Sequence, residues 1–159
     1  MVLLQKSSST HELDKSKVDI IELSSKIINR ENFDNKEVKL LHKTTPLIVV
    51  TNRFALDTIL SNLINNAFYY SPNDTAIDIL TSKASDDKAI IKISNISNQE
   101  CQETDLQLFF DPLWQKDQSR TSRDRFGLGL AIVKSYCEKL GATVSVSLDG
   151  KTITFTVIL

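Results

Sequence analysis

Residues 53–71, RFALDTILSNLINNAFYYS, carry the strongest apolar period in the chain: Leu56, Ile59, Leu60, Leu63, Ile64 and Ala67 recur at helical spacing and make one stripe. SPND at 71–74 ends the run, because the residue before a proline is driven out of the helical region. A helix of this length must lay its stripe on something, and its neighbours say what. Upstream, VDIIELSSKIINREN (18–32) places Ile20, Ile21, Leu23, Ile27 and Ile28 mostly on one face of a second helix. EVKLLHK (37–43) and LIVVT (47–51) read as strands with Pro46 between them. Downstream, AIDILTS (76–82) and AIIKISN (89–95) read as strands joined by the polar turn KASDDK.

After a long segment of weak periodicity, 98–126, the stretch RFGLGLAIVKSYCEKLG (125–141) predicts a third helix, with Ile132, Val133, Tyr136 and Cys137 turned to the core. ATVSVSL and TITFTVIL then close the chain as a hairpin, with Asp149-Gly150 in a tight primed turn. No internal repeat appears. This alternation predicts an α+β domain in which helices pack on one face of a single, mostly antiparallel sheet. The domain is expected over 18–159, and the serine-rich residues 1–17 are expected to be a flexible lead-in or the remnant of an upstream helix.

Composition excludes several classes of function. With 159 residues the chain builds one core. Lysine and arginine number 19 against 20 acids, a formal charge of -1, so no global basic field draws it to nucleic acid or to an anionic membrane. The longest apolar runs, such as LIVV at 47–50, fall far short of a bilayer span, and no signal-peptide core is present, so a soluble chain is expected. Cys101 and Cys137 lack partners at metal-ligand spacing and read as free thiols of a reducing, cytoplasmic compartment, Cys137 in the core.

On the central helix, Asn62, Asn66 and Tyr70 recur every four residues opposite the apolar stripe, with Thr58 before them and Tyr69 beside them. Asparagine competes with the helix backbone for hydrogen bonds, yet Asn62, Asn65 and Asn66 all sit mid-helix. Spacing alone allows two readings: a wet helix face, or amide oxygens sharing a hard cation such as magnesium with substrate phosphates. Of the four glycines, Gly141 suits a helix C-cap and Gly150 the hairpin turn. Gly127 and Gly129 open the last helix. Free N–H groups and a positive dipole end attract anions there, although plain loop sterics also put glycine at a helix start. Arg120, Arg123 and Arg125 lie just upstream as candidate phosphate-directed charges.

NLINNAFYYSP (62–72), LFFDPLWQ (108–115) and GLGLAIVKSYCEKLGATVSV (127–146), in that order, resemble the N box, F box and G2 box of the catalytic ATP-binding domain of bacterial sensor histidine kinases. The resemblance covers about residues 18–159. It implies the Bergerat (GHKL) fold shared with gyrase and MutL, a two-layer α/β sandwich with a mixed, mostly antiparallel sheet against three helices. It implies ATP or ADP with Mg2+ as cofactors. Asn66 is then the magnesium ligand and, with Asn62 one turn earlier, the catalytic asparagine pair. Tyr70 is the aromatic beside the nucleotide, Tyr69 stands where the family carries a lysine or arginine, and Asn95 stands for the aspartate that reads adenine. Gly127, Leu128 and Gly129 match the phosphate turn, with Arg120 and Arg123 directed at phosphate. Phe110 and Pro112 anchor a lid over about 111–126.

The implied reaction gives the γ-phosphate of ATP to a histidine on separate dimerisation helices, with a response regulator as the further partner. The domain by itself is then monomeric, inactive without its phosphoacceptor, and in the cytoplasm. Besides Tyr69, the chain departs from the family at Leu113, where the lid has its second aromatic, at Phe126, where a threonine or serine precedes G-L-G, and in one whole motif. The G1 box, D-x-G-x-G, is here SNISNQE (94–100), with Asn95, Ser97 and Gln99 in place of the aspartate and both glycines. That departure raises a second reading: a degenerate domain that binds nucleotide weakly or not at all and serves as an interaction or regulatory module. His11-Glu12 matches the phosphoacceptor H box only by chance, and His42 reads as an ordinary strand residue.

Overall fold

The computed structural model describes residues 13–33, 35–114 and 128–159. The elements run β1 Ser16–Asp19, α1 Ile20–Glu31, β2 Val38–His42, β3 Ile48–Thr51, α2 Arg53–Tyr69, β4 Ile77–Lys83, β5 Ala89–Ile96, α3 Glu103–Leu106, α4 Gly129–Leu140, β6 Thr143–Asp149 and β7 Thr152–Ile158. The five-stranded sheet has the order β2-β4-β5-β7-β6. Only β2 and β4 pair in parallel, as expected when β3 and α2 intervene between them, and the other pairs are antiparallel.

The core lies between the sheet and α2. Alternation along β4, β5 and β7 turns Ile77 and Ile79, Ala89, Ile91 and Ile93, and Ile153, Phe155 and Val157 to one face. Against them α2 buries its whole stripe, Leu56, Ile59, Leu60, Leu63, Ile64 and Ala67, as the spacing predicts. Each long helix has an identifiable start or stop. The Asp19 carboxylate accepts the Ile21 N–H at 2.9 Å, and Asn52 Oδ1 accepts the Ala55 N–H at 2.8 Å. Gly141 ends α4 at φ +70°, where the Ala142 N–H reaches the Cys137 carbonyl at 2.8 Å.

Several expectations are corrected. Strand β1 starts at Ser16, inside the stretch expected to be lead-in, and pairs antiparallel with β3 in a separate two-stranded ribbon, so there are two sheets rather than one. Four residues with Val18 as their single apolar member leave too short a pattern to announce a strand. In the final hairpin Asp149 still pairs with Thr152, so the turn residues are Gly150 and Lys151, one place later than expected. Gly150 takes φ +59° at the first central position, where a primed turn demands it. The loop expected over 98–126 contains the single turn α3. On α4, Val133 and Cys137 are buried and Tyr136 is half-buried, but Ile132 is 39% exposed.

Arg30 ties α1 to α2 with a two-pronged contact to Asp57, at 3.2 and 3.0 Å, and a third bond to Ser61 Oγ at 2.8 Å. The guanidinium holds the Asp57 carboxyl below its ordinary range. A lowered folded pKa contributes stability above the unfolded carboxyl's pKa, and that stability is lost as pH falls through the folded value. Arg30→Met is therefore expected to flatten part of the acid-side loss of stability in urea titrations. The effect is below about 1 kcal/mol, because the pair is half exposed to solvent. Leu60→Ala, which empties a fully buried site on α2, is expected to cost about 3 kcal/mol as a lower urea midpoint at unchanged slope.

Candidate functional site

The face of α2 opposite its buried stripe carries Thr58, Asn62, Asn66 and Tyr70, and it runs beside α4. Thr58 Oγ1 donates to the Phe54 carbonyl at 2.9 Å, and Asn62 Nδ2 donates to the Thr58 carbonyl at 2.8 Å. With its amino end bound back onto the helix, Asn62 turns its oxygen to α4. A methyl group built on Gly129 would come within 3.0 Å of Asn62 Oδ1. Gly129 therefore serves close helix approach as well as any ligand, and the polar face of α2 meets the first residue of α4. Among the described residues no side chain caps that end of α4, and no acid occupies its first turn, so it presents the positive end of a helix dipole.

Asn66 lies one turn beyond Asn62 and is half-buried. Its backbone carbonyl accepts the Tyr70 N–H at 3.1 Å, while its side-chain amide meets no hydrogen-bonding partner among the described residues. No group of three or more His, Cys, Asp or Glu able to hold a metal occurs among the described residues. A lone amide oxygen suits a cation that keeps most of its shell from phosphates and water. Leu128, at the mouth of α4, is 41% exposed. Gly127, Arg120, Arg123 and Arg125 lie outside the described residues, as do most of the expected lid and His11.

The C-terminus of α2 gathers the remaining candidates. Tyr70 caps the helix, and its carbonyl accepts the Asn98 N–H at 2.8 Å and Asn95 Nδ2 at 3.5 Å. The exposed Tyr69 packs edge-on against Phe68, and its carbonyl accepts Asn98 Nδ2 at 3.2 Å. Asn95 is buried at the end of β5 on the helix-facing side. Ser97 and Gln99, in place of the two glycines, close a small turn of their own. Ser97 Oγ donates to the Gln99 carbonyl at 2.8 Å and accepts the Gln99 N–H at 3.1 Å. Neither residue takes a positive φ, so the backbone here does not require glycine.

Reading the sequence missed two contributors. Asn98 binds both tyrosine carbonyls. Lys36, ahead of β2, donates to the Phe68 carbonyl, to Ser71 O at 2.7 Å and to Ser71 Oγ at 2.8 Å, and burial lowers its pKa. The only advance signal was composition: a cluster of turn-forming Asn and Ser after β5, and a lone lysine before β2. At the expected lid anchor, Phe110 packs edge-on to Phe155, but Pro112 is exposed. Phe109 and Trp114 complete the aromatic cluster instead. Cys101 and Cys137 are free thiols, and burial pushes Cys137 up to about 11, which makes it a core residue rather than a nucleophile. His42 is an exposed residue of β2. No helix among the described residues is long and apolar enough to cross a membrane.

Residues 51–159 match the family described as histidine kinase-, DNA gyrase B- and HSP90-like ATPase. The whole chain is 30% identical to the heme sensor protein HssS of Staphylococcus aureus over 34% of that protein's length. Over 64% of the chain it is 35% identical to the sensor histidine kinase YcbM of Bacillus subtilis, spanning 32% of that protein. The chain thus covers about a third of these curated relatives. In fold it resembles the mycobacterial sensor histidine kinase MprB at a TM-score of 0.78 and 20% identity, covering 91% of this chain and 96% of that one. The catalytic domain of histidine kinase ThkA gives 0.78 at 18% identity, with 91% and 94% covered. The chain belongs to the histidine kinase-, DNA gyrase B- and HSP90-like ATPase family.

Proposed function

We propose that this chain binds magnesium with ATP or ADP between α2 and α4 and presents the γ-phosphate to a histidine on the dimerisation helices of a longer kinase, a response regulator being the next acceptor. One observation carries this reading: the Asn66 amide, which has no hydrogen-bonding partner among the described residues, lies one turn from Asn62, whose oxygen meets the start of α4 at Gly129. The residues present fit the cofactor. Asn66 holds the metal, Asn62 sets the spacing between the two helices, and Gly127, Leu128 and Gly129 bring backbone N–H groups to the phosphates. The motif resemblance assigns Arg120 and Arg123, outside the described residues, to the phosphates, while Tyr69 and Tyr70 flank the nucleotide and Asn95 accepts from the base. Bound magnesium neutralises phosphate charge, and positioning then supplies most of the rate. The fragment is monomeric and works on the cytoplasmic side.

The interaction-module reading rested on lost glycines. Ser97 and Gln99 satisfy each other at that place without backbone strain, and the family match runs through the segment. Its support is therefore weaker than that of the catalytic reading.

A thermal shift with magnesium and ADP tests the proposal. Ligand at a hundred times its dissociation constant adds about 2.7 kcal/mol, and an unmoved melting point at millimolar nucleotide would sink the reading. Asn66→Ala is expected to remove the magnesium-dependent part of the shift while leaving the melting point of the free chain in place. Gly129→Ala separates packing from binding. The gain in helix propensity, up to about 1 kcal/mol, offsets the displacement of Asn62 in the free chain. Nucleotide affinity is nevertheless expected to fall by about tenfold, because the new methyl crowds the Asn62 oxygen. Unchanged affinity would remove Gly129 from the site.

A further inference from the structure

Two strands bound the five-stranded sheet, and they are guarded differently. Strand β2 is short and carries Lys39, followed at once by Lys43, charges that resist the addition of a further strand. Strand β6 runs for seven residues in unbroken register with β7, without bulge, proline, glycine or lysine, and its single charge is its last residue, Asp149. The direction of its backbone groups follows from its neighbours. Ala89 and Leu159 exchange both backbone bonds at 3.0 Å, so the odd-numbered residues of β7 turn their backbone groups to β5. The even-numbered residues of β7 turn theirs to β6, where they meet Asp149, Ser147, Ser145 and Thr143. Val144, Val146 and Leu148 therefore point their N–H and C=O groups out of the sheet edge, and nothing among the described residues bonds to them there. The side chains of these three are also only half-buried, although their partners Val157, Phe155 and Ile153 are buried.

We infer that this edge pairs with the same edge of a second copy of the chain, β6 antiparallel to β6 with Val146 on the two-fold axis, so that two sheets join into one. A two-fold contact requires a strand complementary to itself, and TVSVSLD is so about its centre. In that register Val146 faces its own counterpart, Val144 faces Leu148, Ser145 faces Ser147 and Thr143 faces Asp149. Apolar side chains meet on the helix side and hydroxyls on the open side, and the two Asp149 carboxylates lie at opposite ends of the contact. The residues whose backbone groups are free are the ones this register sets to exchange bonds, Val146 with Val146 and Val144 with Leu148. A slip of one residue would set the helix face of one copy against the open face of the other. A single strand pair is a smaller contact than the roughly 1,200 Å² at which stable interfaces begin. The association is therefore weak, and the monomer described above is the dilute form. The pairing stands or falls independently of nucleotide binding.

Sedimentation equilibrium of the 159-residue chain at low salt, from about 10 µM to about 1 mM, reads the association. The wild type is expected to pass from monomer to dimer with a midpoint at roughly a few hundred micromolar. Ser145→Lys combined with Ser147→Lys sets lysine against lysine twice across the axis, and is expected to weaken the dimer by about tenfold. Ser145→Lys combined with Ser147→Glu sets lysine against glutamate at the same two places, and is expected to return association to at least the wild-type level. Both positions are exposed, so an unchanged melting point of each variant checks that only the contact has altered. A wild type that stays monomeric at the highest concentration overturns the inference. So does a dimer indifferent to the two lysines, or one that the lysine and glutamate together fail to restore. Amide exchange of the wild type gives a second measurement, expected to slow at Val144, Val146 and Leu148 between the two ends of the concentration range. Unaltered exchange at those three amides overturns the pairing even if the variants do not fold.

Discussion

The end of α2 sets the terms for the whole site. A helix leaves its last carbonyls without intrahelical donors, and here part of that end, at Ser71, is buried away from water. The chain answers from two directions. Lys36 takes the Phe68 and Ser71 carbonyls from one side, and Asn98 and Asn95 take those of Tyr69 and Tyr70 from the other. These donors come from distant parts of the sequence, so satisfying one helix terminus also fixes where the loop after β5 sits relative to the polar face of α2. Lys36 remains a cation while half-buried, and three oxygens and the face of Phe68 at 4.7 Å compensate for part of its lost hydration.

The same accounting explains how the family's glycine-rich motif can be replaced without losing the fold. Glycines there allow unusual dihedrals or close approach, but the backbone at 97 and 99 needs no positive φ. Its polar groups are met by side chains instead. Ser97 bonds Gln99 in both directions, and the Ser97 N–H reaches the Lys151 carbonyl in the turn between β6 and β7 at 2.8 Å. The loop is thereby held at both ends, by α2 and by the final hairpin. A side-chain staple orders more atoms than a glycine turn does, and it leaves a more rigid and less adaptable wall.

Sequence reading reached as far as its periodicities do. The stripe of α2 and the alternation of β4, β5 and β7 are strong because every apolar residue in them faces the same neighbour. The two-layer fold and the places of Asn62, Asn66, Tyr70 and Gly129 followed from these patterns and from motif resemblance. Strand β1 escaped because four residues hold too little pattern. The hairpin turn moved one place because Asp-Gly suits a turn in more than one register, and only the pairing of Asp149 with Thr152 selects between them. Ile132 was assigned to the core because a helix face has no sharp boundary, and its neighbour Val133 took the buried position. The bonds of Asn95 and Asn98 to the tyrosine carbonyls and those of Lys36 to Phe68 and Ser71 join residues tens of positions apart, so no local spacing could reveal them.

The pairing of β7 with both β5 and β6 makes residues 97–142 a single closed excursion between strands of the sheet. Closing such an excursion costs entropy that grows only with the logarithm of its length, about 0.6 kcal/mol for each doubling. The strands that hold it are fixed by hydrogen bonds and apolar contacts indifferent to how far the chain wanders in between. The connection between α3 and α4 can therefore lengthen or shorten over evolutionary time with little penalty to the domain, while α2 and its terminus must stay as they are.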